Sequence, residues 1–371
     1  MHPAPSVTLF LCGDVMTGRG VDQILPHPSA PQLYEPYVRS ALDYVALAER
    51  ESGPIARPTQ FAYVWGHALA ELERVRPLAR IVNLETAVTA SADAWPGKDI
   101  HYRMHPSNLP CLAAAGIDCC VLANNHVLDW GYRGLAETLD VLHSVAIRTA
   151  GAGRNEAEAC APAEVALKGG GRLLVFAYGM ESSGVAANWA AGRARAGVSF
   201  LPDLSGRTIE RVAAHVRAAR GLHDRALVSL HWGGNWGYEV GRAERAFAHG
   251  LIDAGVDLVH GHSSHHPKGI EVYRDRLILY GCGDFLNDYE GIGGYESFRA
   301  ELTLMYFATL DAESGRLLGL ELAPMRLRRL RLERACDADT RWLEAMLTRE
   351  GAAFGTGIAR TAEGGLALRW A

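Results

Sequence analysis

Short apolar runs punctuate this chain, and five of them stop at residues able to bind a metal ion or move a proton. Leu9-Phe10-Leu11-Cys12 runs into Gly13-Asp14, and Ile81-Val82 into Asn83-Leu84-Glu85. Cys119-Cys120-Val121-Leu122 runs into Ala123-Asn124-Asn125-His126, and Leu227-Val228-Ser229-Leu230 into His231. Val256-Asp257-Leu258-Val259 runs into His260-Gly261-His262-Ser263-Ser264-His265-His266. Runs of this kind read as strands buried on both faces. Segments with helical spacing separate them: 61–76 (Ala68, Leu69, Leu72 and Val75 on one face), 107–115 with Gly116 as C-cap, 132–145, 155–166, 206–220 and 242–254. A further strand covers 172–178.

Beyond residue 266 the order changes. Residues 270–273, 276–281, 300–310 and 317–324 read as consecutive strands, the first pair joined by Arg274-Asp275. A helix at 338–350 and a short tail close the chain. Alternating strand–helix units followed by a meander predict an α/β fold with two sheets inside and helices outside. The segments 21–60, 86–108 and 179–203 exceed ordinary connector length. Their aromatic residues (Tyr34, Tyr37, Trp95, Tyr102, Trp189) favour ordered walls or lids over a site.

The strand ends carry the chemistry. In layered α/β proteins, the loops beyond such ends converge on one edge. Four histidines within 260–266 at one strand exit offer the neutral nitrogens that Zn, Mn or Fe accept. A lone Asp after a strand is usually a turn or a cap, so the case rests on five such ends together.

Bulk properties narrow the classes. The chain has 371 residues, 49% hydrophobic and 21% charged, enough for one large core or two domains. A net charge of −5 leaves no nucleic-acid footprint. No apolar stretch reaches the roughly 20 residues that span a bilayer, and Met1-His2-Pro3 opens no secretory leader, so the expected location is cytoplasmic. Seven cysteines without paired spacing are expected as free thiols.

Together these motifs resemble the CapA family, the poly-γ-glutamate capsule-synthesis proteins of the calcineurin-like metallophosphatase superfamily. The matching pieces are Gly13-Asp14-Val15-Met16 with Gly18-Arg19, Asn83-Leu84-Glu85-Thr86, Ala123-Asn124-Asn125-His126, His231-Trp232-Gly233, and Gly261-His262-x-x-His265 before Gly269-Ile270-Glu271. They run in the family's order over about residues 7–290. The resemblance implies a four-layer αββα sandwich over 1–330, with 331–371 packed on it as a helix and tail. It implies one or two divalent ions (Mn, Zn, Fe or Ca) held by Asp14, Glu85, Asn125, His231, His262 and His265. His126, Asp14 and His265 would then be the catalytic groups. Two departures stand out: Met16 occupies the superfamily's first-motif histidine, and Glu85 its bridging Asp. Met16 predicts one weak ion position, because a thioether is a poor ligand for such ions. Asp284 adds a carboxylate where the family often shows Asn.

Arg19, Arg103, Tyr102 and Asp284 are the expected substrate contacts, the arginines gripping a phosphate or carboxylate. The expected partner is an anionic small molecule or a peptide, with neither nucleic acid nor membrane involved. The leading expectation is a metal-dependent hydrolase of a phosphoester or amide-type bond. A metal-dependent peptide Cα epimerase and a non-catalytic accessory protein of capsule synthesis are the alternatives.

Overall fold

A computed structural model describes residues 6–167 and 170–371. Two mixed sheets face each other. The larger runs in the order Thr356–Arg360, Leu366–Trp370, Leu317–Leu327, Leu302–Asp311, Ser6–Val15, Ala79–Leu84, Cys119–Val121, Arg148–Ala150. The smaller runs Phe200–Leu201, Arg172–Met180, Arg225–His231, Leu258–His262, Arg276–Leu279, Ile270–Tyr273. Leu9, Ile81 and Tyr306 of the first pack with Val175, Leu227 and Leu258 of the second, so the central core lies between the sheets.

Helices cover both outer faces. Val45, Leu72, Leu112 and Leu139 pack with Phe10, Val82 and Cys120 on the far side of the larger sheet. Val212, Val216, Phe247 and Leu251 pack with Phe176 and Val228 on the far side of the smaller one. The layers are therefore αββα, as expected. Helix Asp337–Gly351 sends Leu343, Met346 and Leu347 into the core between the sheets.

Several elements differ from the sequence reading, each for a readable reason. The segment 21–60 holds helices Arg19–Ile24 and Ala41–Ser52, the second capped by Ser40. The helix expected over 155–166 stops at Cys160, and Ala163–Ala166 pairs antiparallel with Arg172–Met180. There the period switches to two: Ala163 and Val165 are buried, Glu164 and Ala166 exposed. The tail is a hairpin, Thr356–Arg360 with Leu366–Trp370, joined to the larger sheet at Leu322↔Leu366. All seven cysteines are free. No helix among the described residues is long and apolar enough to cross a membrane.

Strands Ser6–Val15, Ala79–Leu84 and Cys119–Val121 are mutually parallel, as are Arg225–His231 and Leu258–His262. Their carboxyl ends open at one edge of the sandwich and bring the polar strand exits together.

Candidate metal centre

Asp14 sits at the centre because two backbones meet there. A Cβ on Gly13 would lie 1.5 Å from the Gly283 carbonyl oxygen, so only glycine allows the approach. The Asp14 amide donates to that same oxygen at 3.0 Å. This contact sets Asp14 opposite Asp284 on one side, while Asn83 stands opposite it on the other. The Asn83 amide donates to Asp14 Oδ1 at 2.7 Å and to Glu85 Oε2 at 3.1 Å. Asn124 in turn donates to Asn83 Oδ1 at 3.0 Å. The first asparagine of the Asn-Asn pair is thus structural support. The second, Asn125, places its Oδ1 3.0 Å from His231 Nε2.

In the smaller sheet His231 and His262 are register partners, so their rings lie side by side with their Nδ1 atoms 2.8 Å apart. His262 Nδ1 is 3.7 Å from Asp14 Oδ1, which joins the two sheets at this point. His231 Nε2 lies 3.9 Å from Glu85 Oε1. His265 Nδ1 is 2.9 Å from Asp284 Oδ1. Two groups result whose ligand atoms lie within 4.8 Å of one another: Asp14, His231, His262, and Asp14, His265, Asp284. They share Asp14.

The charges call for a cation. Asp14 and Glu85 are buried almost completely, and their carboxyl pKa values are pushed up, first by burial and then by neighbouring carboxylates. His231 and His262 are pushed well down, first by burial and then by neighbouring histidines, so their rings are neutral and carry lone pairs. Burial disfavours charge on His265 too, but the adjacent Asp284 outweighs it and the pKa rises. Crowded buried carboxylates beside neutral imidazoles and an amide oxygen form a donor set that fits a divalent ion. Asp284 was expected to face substrate. Its place beside Asp14 and His265 puts it within a candidate ligand group instead.

His126 lies just outside these groups. Its Nδ1 is 2.7 Å from Asp129 Oδ2, and its Nε2 is 3.8 Å from Glu85 Oε1. Burial, aided by Lys98, pushes its pKa down to about 4 despite Asp129. Lys98 Nζ lies 2.5 Å from Asp129 Oδ1 and 3.1 Å from His126 Nδ1. Tyr102 meets the His126 ring edge-on at 4.5 Å, and Tyr289 meets His265 at 5.4 Å. Segment 86–108 therefore walls the site through Lys98 and Tyr102. Segment 179–203 does so through Ser183, whose hydroxyl donates to the His231 carbonyl at 2.7 Å.

The two arginines do not face the centre. The Arg19 guanidinium is buried, bonded to Asp288 at 2.5 Å and Glu35 at 2.7 Å, and lies over the Tyr44 ring. Arg103 donates to the Ser91 and Ala30 carbonyls and stacks on Trp130. An arginine near a strand end is as useful for tying loops together as for gripping anions, and spacing does not separate the two uses. Asn83, Lys98, Asp129 and Tyr289 were missed. Asp129 carried a signal: it stands three residues after His126, within reach across one turn.

Opposed sheets with helices outside and Asp, Glu, Asn and His gathered at one edge define an αββα sandwich carrying a candidate metal centre. The chain belongs to the bacterial capsule synthesis protein family, whose model matches residues 8–289. It is 50% identical over 350 residues to a probable polyglutamine synthesis accessory protein of Mycobacterium tuberculosis, covering 94% of this chain and 92% of that one. It is 23% identical to the capsule biosynthesis protein CapA of Bacillus anthracis, covering 76% of this chain and 60% of that one. Among solved structures, a novel phosphatase from Mycoplasma pneumoniae aligns with a TM-score of 0.44 at 8% identity, covering 87% of this chain and 95% of that one.

Proposed function

We propose that this chain is a metal-dependent hydrolase acting on a phosphoester or amide-type bond in an anionic substrate. The observation that carries the proposal is the pair of ligand groups sharing Asp14. Asp14, Glu85, Asn125, His231 and His262 would hold one ion, and Asp14, His265 and Asp284 a second. A bound divalent cation supplies a water acidic enough to give hydroxide near neutral pH, and it neutralises charge on the substrate. The protein's own groups do the rest. Asp129 fixes the His126 ring through Nδ1, so Nε2 is the atom left to exchange a proton at the reacting bond. Lys98 adds a positive charge beside that ring. Tyr102 and the 179–203 segment limit water access. The relatives' names concern polyglutamine synthesis and capsule biosynthesis, which favours a peptide-type substrate over a nucleotide.

A second reading rests on a separate observation. Two imidazole–carboxylate pairs, His126 with Asp129 and His265 with Asp284, flank the centre. Such a pair could remove and return a proton at a peptide Cα. Both readings are tested by adding Mn²⁺ or Zn²⁺ to metal-free protein with nitrophenyl phosphodiesters and γ-glutamyl peptides in deuterated water. Release of alcohol or amine supports hydrolysis. Deuterium at Cα without cleavage supports epimerisation. Neither product with any ion, together with no bound metal on elemental analysis, overturns both and leaves an accessory role.

A further inference from the structure

We infer that Ser229 and His260 form a one-directional hydrogen-bond relay that decides which nitrogen of His262 faces the ion position. This rests on the metal-centre reading above, and it adds two positioning residues to it. The relay starts at the Cys12 carbonyl, on the same strand as Asp14 and two residues before it. His260 Nε2 lies 2.8 Å from that oxygen. A carbonyl oxygen only accepts, so His260 Nε2 carries the hydrogen.

The direction then propagates. His260 is fully buried, and among the described residues its two ring nitrogens meet only the Cys12 carbonyl and the Ser229 hydroxyl, neither of them charged. Burial without a carboxylate partner keeps the ring neutral. Its Nδ1 is therefore bare and accepts from Ser229 Oγ at 3.1 Å. That contact commits the only proton Ser229 has. At its other contact, 2.8 Å from His262 Nε2, the hydroxyl oxygen can only accept. His262 therefore carries its hydrogen on Nε2, and its bare Nδ1 is left toward Asp14 Oδ1 and His231 Nδ1.

Strand geometry makes the relay possible. Ser229 and His260 are register partners, as are His231 and His262, so alternate residues on one face hold all four side chains together. Ser229, His260, His231 and His262 are each 0 or 1% exposed, which leaves water little access to exchange the donors. One further consequence concerns His231. Its two nitrogens face two acceptors, the bare His262 Nδ1 and Asn125 Oδ1. A neutral ring has one proton for the two, so one contact sets lone pair against lone pair. An ion at that contact relieves the opposition.

The test needs no catalysis. Nitrogen-15 NMR of the metal-free wild-type protein at neutral pH is expected to show His260 and His262 both as Nε2–H tautomers. An Nδ1–H tautomer on either ring overturns the relay. Ser229→Ala should leave His260 unchanged, release His262 into a mixture of tautomers, and weaken Zn²⁺ binding by about 10–100-fold. Unchanged Zn²⁺ affinity with an unchanged His262 tautomer overturns it as well. If Ser229→Ala does not fold, the wild-type spectrum decides alone. If wild-type protein takes up no Zn²⁺ while both tautomers are as expected, the relay stands and the metal-centre reading fails.

Discussion

Arg19→Leu separates a structural arginine from a substrate-binding one. In the folded protein the guanidinium bonds Asp288 at 2.5 Å and 3.1 Å, Glu35 at 2.7 Å and the Tyr44 hydroxyl at 3.0 Å. Side-chain exposure is 2% for Arg19 and 0% for both acids. Leucine fills part of the space between the Tyr44 and Tyr102 rings but leaves two carboxylates buried with no cation between them. Breaking a buried pair from one side typically costs about 3–5 kcal/mol. Two stranded acids put this case at the upper end, unless they take up protons. Urea denaturation should therefore show a midpoint shift of about that size at unchanged slope. Adding Glu35→Gln and Asp288→Asn to Arg19→Leu should recover part of the loss, because the amides leave no charge unpaired. A stability loss under about 1 kcal/mol, with KM raised and kcat kept, would refute this reasoning and restore Arg19 as a substrate contact.

Three further outcomes are expected. His126→Ala should keep bound metal and lose about 10²–10⁴ in rate; loss of the metal by elemental analysis would contradict its place outside the ligand groups. Calorimetric titration of metal-free protein with Mn²⁺ should show one tight and one looser ion, and Asp284→Ala should abolish the looser one alone. Hydrogen bonds from Arg172, chiefly, hold the Asp224 carboxyl down at about 2 against an ordinary 3.8, so its contribution is complete above the ordinary value and fades as pH falls toward 2. Asp224→Asn should accordingly destabilise the protein at pH 7 but hardly at pH 2, and an equal loss at both values in denaturant unfolding would exclude this linkage.

Much of the architecture was legible in order and pattern. Short apolar runs mark buried strands because a strand covered on both faces has no polar side, and their alternation with helical spacing implies helices outside two sheets. Asp14, Glu85, Asn125, His231 and His262 were legible for the same reason: each stands where a buried strand ends, and parallel strands end at one edge. The C-terminal hairpin was lost because five-residue strands at a sheet border alternate only briefly. Tertiary structure alone decided which polar residues at that edge point inward. Arg19 and Arg103 share the composition and position of anion-binding arginines, yet their charge and donors are taken by Glu35, Asp288 and backbone carbonyls that are far away in sequence or on other elements. Asp284 joined Asp14 because Gly13 and Gly283 let two backbones touch, a contact between residues 270 positions apart. The tautomer of His262 depends on a carbonyl in the opposite sheet. Local sequence carries propensity and spacing; which donor meets which acceptor is a property of packing, because hydrogen bonds and ion pairs act over a few ångströms of space, whatever the distance along the chain.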